Sequence, residues 1–153
     1  MGPRPALTRS LARRARPAGL GRLVTRYLLD SDAVIDRLNA YHPTVELLAR
    51  LVDEGNLLAT NPVVIAEVYA GLAPEQRPAA AIFVDELLFL PVDPNTARQA
   101  GELRYTAARR GIALSIPDTL IAATALAYGA GLVTGNVQHY PQPGLMIVPL
   151  PGR

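Results

Sequence analysis

The sequence predicts an α/β domain with a mostly parallel sheet and helices on both faces. From Tyr27 onward, short apolar runs of strand length alternate with longer segments of helical periodicity, the βαβα order that builds parallel sheets. Pro and Gly punctuate these segments at the positions where helices start and stop. The chain has 153 residues, 50% of them hydrophobic, enough for one core with little room for a second domain.

Tyr27 to Leu29 is the first strand, and a helix begins near Asp32. A second helix runs from Pro43 to about Glu54, with Val45, Leu48 and Val52 on one stripe and Gly55 as its stop. Leu57 to Thr60 is the next strand. Asn61 then caps a helix that Pro62 starts and Gly71 closes, with Val64, Val68 and Leu72 at four-residue spacing. A helix from about Glu75 leads into a strand over Leu88 to Val92, where Pro91 marks an edge or a strand end. Helices over Pro94 to Arg110 and Ile116 to Tyr128 precede the last strands, Gly131 to Thr134 and Leu145 to Val148.

Composition removes several chemistries. Without cysteine there is no disulfide framework, no thiolate nucleophile and no Cys-ligated zinc. His42 and His139 are too few for a His-rich metal site, so a metal would sit on oxygen ligands. All 15 basic residues are arginine, which excludes every mechanism that needs a lysine. No run approaches the roughly 18 apolar residues that span a bilayer, and no leader pattern opens the chain, so a soluble, cytoplasmic protein is expected.

The net charge of +2 is unevenly spread. Residues 1–26 hold seven arginines and no acid, whereas residues 27–153 hold eight arginines against all 13 acids, a net charge of −5. The first segment has too little apolar content to join a core. It reads as a basic arm that binds nucleic acid, a transit segment, or an upstream extension from a start codon placed too early, with the domain proper over 27–153.

Ligands of an open parallel sheet bind beyond the carboxyl ends of its strands. Asp30 stands there, directly after Tyr-Leu-Leu, although capping of the next helix would equally explain it. Glu67 lies in a helical segment that is otherwise Val, Ile, Ala and Tyr, where a carboxylate requires a compensating arginine or cation. Asp118 occupies the third helical position after Ser115, the arrangement of a capping box, and opens a helix rich in small residues that can lie close to a sheet. Asn136 follows the Gly131 to Thr134 strand on the same edge as Asp30, in what also reads as a plain Gly-Asn turn. Three carboxylates gathered within a few ångströms need something to offset their repulsion, and a hard divalent cation such as Mg²⁺ or Mn²⁺ does so.

The stretches LLDSD, IAEVYAG and GELRYTAARRGIALSIPDTLIAATALAYGAGLVTGNVQHY resemble the PIN-domain ribonucleases, most closely the VapC-like toxins of type II toxin-antitoxin pairs, over about residues 27–150. The resemblance implies a three-layer domain around a parallel five-stranded sheet, a homodimer, a divalent metal, endonucleolytic cleavage of RNA and a cognate antitoxin. It places the site at Asp30, Glu67, Asp118 and Asn136. The first three would hold the metal, and Ser31 and Thr134 would orient the carboxylates.

The sequence departs from the family pattern at Ser31-Asp32, where relatives usually have Thr-Asn, and at Asn136, where Asp is common. Gly135 stands in place of a frequent Arg, and Ile116-Pro117 lack an auxiliary acid. Arg104, Arg109 and Arg110, or the arm, would attract RNA to an acidic pocket, and His139 would touch phosphate, act as an acid or simply be solvated. Two rival readings are a haloacid dehalogenase-type phosphatase using LLDSD as nucleophile motif, and a non-catalytic PIN-like module that binds RNA or protein.

Overall fold

The computed structural model describes residues 23–152. The basic arm expected over 1–26 falls mostly outside the described residues, and its boundary moves, because Arg26 already belongs to the first strand.

Five strands form one all-parallel sheet in the order β3-β2-β1-β4-β5. They are β1 (Arg26–Leu29), β2 (Leu57–Thr60), β3 (Leu88–Phe89), β4 (Gly131–Thr134) and β5 (Ile147–Pro149). Among the described residues the α-helices are α1 (Ser31–Leu38), α2 (His42–Asp53), α3 (Pro62–Ala70), α4 (Arg77–Asp85), α5 (Pro94–Arg109) and α6 (Ile116–Ala127). The helix expected from about Glu75 opens as a 3-10 turn, Pro74–Gln76, that runs directly into α4 at Arg77.

The chain steps from β1 to β2 to β3 in one direction, then crosses back to lay β4 on the other side of β1. The order of strands therefore reverses between β1 and β4, and a crevice opens beyond their carboxyl ends. Leu28 and Leu29 pair with Leu132 and Val133 there, and all four are fully buried. Such uniformly apolar strands suit a sheet covered on both faces. Gly131 opens β4 because a Cβ would come within 2.9 Å of the Tyr27 ring.

Two polar contacts fix the helices that matter most. Asn61, wholly buried, accepts from Val64 N at 2.8 Å to cap α3 and donates through its amide to Thr124 Oγ1 of α6 at 3.1 Å. One residue thus sets the position of α3, which carries Glu67, against α6, which carries Asp118. α5 packs along α6, and α1 meets both α2 and α3.

Candidate active site

The crevice between β1 and β4 gathers carboxylates. Asp30 follows β1 and is 5% exposed. Its Oδ1 accepts from Ser31 N at 2.8 Å, so it does cap α1. Its Oδ2 accepts from Thr134 Oγ1 at 2.8 Å and from Tyr140 OH at 2.9 Å. The capping role and the site role therefore fall on the two oxygens of one side chain.

Tyr140 OH also lies 3.3 Å from Asp118 Oδ1, so a single phenol bridges the two aspartates. Tyr140 is 2% exposed. Burial, and then the negative charges of Asp30 and Asp118, push its pKa far up, so it remains a proton donor at any ordinary pH. His139 Nδ1 stands 3.4 Å from Asp118 Oδ2. Ser115 Oγ accepts from Asp118 N at 3.1 Å, which is half of the expected capping box. The reciprocal half is replaced, since the Asp118 carboxylate turns to Tyr140 and His139.

Glu67 projects from α3 toward the same place. Its carboxyl pKa is raised by burial first, then by Asp30, Asp118 and Asp32 in turn. Its Oε1 is buried without a hydrogen-bond partner. The folded protein thus binds this proton more tightly than the unfolded chain does. The associated stability is fully present below the ordinary glutamate range and is lost as pH rises through the raised folded value. In EDTA, melting temperature should fall over that window, and Glu67→Gln should flatten the fall. An unchanged pH profile in the variant would remove Glu67 from the cluster.

Asn136 reaches the cluster through Asp32. Its amide Nδ2 reaches Asp32 Oδ2 at 3.4 Å, and Asp32 Oδ2 also accepts from Gly135 N at 2.8 Å. Thr134 Oγ1, besides donating to Asp30, accepts from Asn136 N at 3.0 Å, and so orients both the carboxylate and the turn. Ser31 contributes to Asp30 through its backbone N–H. Tyr140 and Asp32 are site residues that the sequence pattern alone does not single out.

Among the described residues no group of three His, Asp or Glu side chains forms a ready ion cage. Asp30 and Asp118 are linked through Tyr140, and both act on Glu67. The donor set still fits a hard divalent cation. It is all oxygen, Glu67 Oε1 lacks a partner, and Glu67 is held in the repulsive field of three aspartates that a cation would offset.

The PIN domain family model matches residues 27–140. The chain is 34% identical over 116 residues to Ribonuclease VapC19 of Mycobacterium tuberculosis, covering 74% of this chain and 91% of that protein. Ribonuclease VapC2 of Rickettsia felis is 28% identical over 131 residues, 79% of this chain and 95% of the relative. The structure of VapBC2 from Rickettsia felis bound to a DNA fragment from their promoter superposes with a TM-score of 0.70 at 25% identity, covering 82% of this chain and 98% of that one. DNA-bound VapBC from Salmonella typhimurium gives a TM-score of 0.71 at 23% identity, covering 83% and 99%, a likeness of fold. A family match that begins in β1 and ends on Tyr140 spans every residue of the crevice, and the chain belongs to the PIN domain family.

Proposed function

We propose that the chain is a divalent-metal-dependent endoribonuclease, the toxin of a toxin-antitoxin pair, working in the cytoplasm. The observation that carries this reading is the Asp30–Tyr140–Asp118 bridge at the point where the strand order reverses, with Glu67 facing it. The relatives named VapC ribonuclease and the VapBC complexes among the structural neighbours support it. Asp30 and Asp118 would hold Mg²⁺ or Mn²⁺, with Glu67 directly or through water. Such an ion supplies Lewis acidity, acidifying water and offsetting charge on a phosphodiester.

The chain's own residues prepare that site. Thr134 and Tyr140 fix the Asp30 carboxylate, and the Tyr140 phenol holds Asp118 to it. His139, half-exposed beside Asp118, stands where substrate phosphate would arrive. Composition weighs against the phosphatase reading, because lysine, which usually accompanies its nucleophilic aspartate, is absent from the sequence.

Purified protein should cut RNA with Mg²⁺ or Mn²⁺ and stop with EDTA. Hydrolysis of a phosphomonoester with no cleavage across a broad RNA panel would favour the phosphatase instead. RNA binding without any cleavage would favour the non-catalytic module. We further propose a homodimer and an antitoxin that fills the acidic pocket with an arginine, since a guanidinium can pair two carboxylates in place of a cation. Sedimentation as a monomer at micromolar concentration would refute the dimer.

Tyr140→Phe tests the bridge. The ring keeps its packing while Asp30 and Asp118 lose a shared donor, at a cost of about 2 kcal/mol or less in urea unfolding. Initial rates of RNA cleavage should drop about ten-fold or more, the usual effect of losing a group that orients a metal-binding carboxylate. Wild-type rates would show that the phenol is only part of the core.

A further inference from the structure

The flank of the carboxylate crevice presents a surface of opposite chemistry. Between Pro94 and Ile116 the chain holds Arg98, Arg104, Arg109 and Arg110 against the single acid Glu102, within a domain that is otherwise acidic. Beside these arginines lies an open groove of about 520 Å³, lined by Arg104, Tyr105, Ile112, Leu114 and Ile116 among others. Tyr105, Ile112 and Ile116 are 61%, 38% and 45% exposed. Large apolar side chains scattered singly over a surface need no account, but three along one groove mark a binding surface.

The groove is organised. The Arg109 guanidinium lies over the Tyr105 ring, 4.6 Å from its centroid, and its Nη2 donates to Tyr105 OH. This fixes the ring while leaving most of it in water. Arg104 Nε donates to the Leu114 carbonyl at 2.9 Å, which anchors that side chain from α5 to the loop leading into α6. Ile116 opens α6 two residues before Asp118, so the groove borders the first turn of the helix that carries this carboxylate.

We propose that this groove is a nucleotide subsite, in which one base of single-stranded RNA next to the scissile phosphate stacks on Tyr105 while Arg104 and Arg109 take flanking phosphates. The assignment rests on the nuclease reading of the carboxylate crevice. An apolar groove alone would suit a protein segment equally well, but guanidinium groups around an exposed ring match a polyanion that carries aromatic faces. Duplex RNA keeps its bases stacked on one another and offers Tyr105 no face, so the subsite selects unpaired RNA.

The test is fluorescence anisotropy on the full chain in EDTA, with a short fluorescein-labelled oligoribonucleotide of mixed sequence, single-stranded or annealed to its complement, across a salt range. Tyr105→Ala should weaken single-strand binding about ten-fold or more without changing the salt slope or the duplex affinity, and Tyr105→Trp should restore it. Arg104→Ala should reduce the single-strand salt slope by about 0.7, the signature of one lost phosphate contact. Wild-type affinity in Tyr105→Ala, or an equal loss for single strand and duplex, overturns the subsite. So does a variant that loses self-association while retaining RNA binding, which would make the groove a protein interface. Folded wild-type protein that neither binds nor cuts any RNA would instead refute the nuclease reading itself, and the subsite with it.

Discussion

Asp118→Asn is expected to reduce RNA cleavage by about 10³-fold while leaving the metal-free protein as stable as wild type or more so. The helix start does not depend on this carboxylate, because Ser115 already caps Asp118 N and the Asp118 side chain points to Tyr140 and His139 instead. Asn retains an oxygen for the Tyr140 phenol. It forfeits only the favourable interaction of a first-turn acid with the helix dipole, at most about 1 kcal/mol. Against that loss stands relief of repulsion, since Asp118 is one of the charges that raise the Glu67 pKa. Thermal melts of wild type and variant, each in EDTA and in Mn²⁺, separate these terms. Ligand binding to the folded state raises stability by mass action, so the Mn²⁺-induced shift should shrink in the variant. A lower melting temperature in EDTA together with an undiminished Mn²⁺ shift would mean that Asp118 is not a ligand.

Local chemistry explains why parts of this fold could be read from the chain and others could not. β2 and β4 fall where expected because Gly55, the Asn61-Pro62 pair and the Gly135-Asn136 turn bracket them. β3 is cut short at Phe89 on the sheet edge, as the nearby Pro91 suggested. β5 begins two residues later than the apolar run, at Ile147, because its start is set by pairing with Leu132 rather than by its own sequence. The site divides the same way. Asp30, Glu67 and Asp118 stand out as carboxylates in apolar surroundings. Tyr140 does not, since its burial and its bond to Asp30 arise across 110 residues and leave no local trace. The one available clue is that a phenol follows the β4 loop on the same sheet edge as Asp30. The position of Asn136 after β4 is legible in the sequence, but which carboxylate it reaches depends on a turn geometry that ties it to Asp32.

Substitutions at Asp30 should separate charge from structure most sharply. Asp30→Ala removes the acceptor for three donors at once: Ser31 N, Thr134 Oγ1 and Tyr140 OH. Thr134 is fully buried and water has little access to replace its lost partner, whereas the nearly buried Tyr140 phenol keeps Asp118. An orphaned buried donor costs about 1–3 kcal/mol, and loss of an N-cap about 1 kcal/mol. Relief of repulsion with Glu67 offsets part of this, leaving an expected destabilisation of about 2–3 kcal/mol in urea unfolding. Asp30→Asn should behave differently. Asn caps helices as well as Asp does, and its amide can face the Thr134 and Tyr140 hydroxyls, which can accept as well as donate. The Asn variant should therefore stay within about 1 kcal/mol of wild type while losing RNA cleavage as completely as the Ala variant, because only the negative charge is gone. Equal stability of the two variants would show that the hydrogen bonds to Asp30 contribute little to the fold. Retained cleavage in Asp30→Asn would show that its charge has no part in the chemistry.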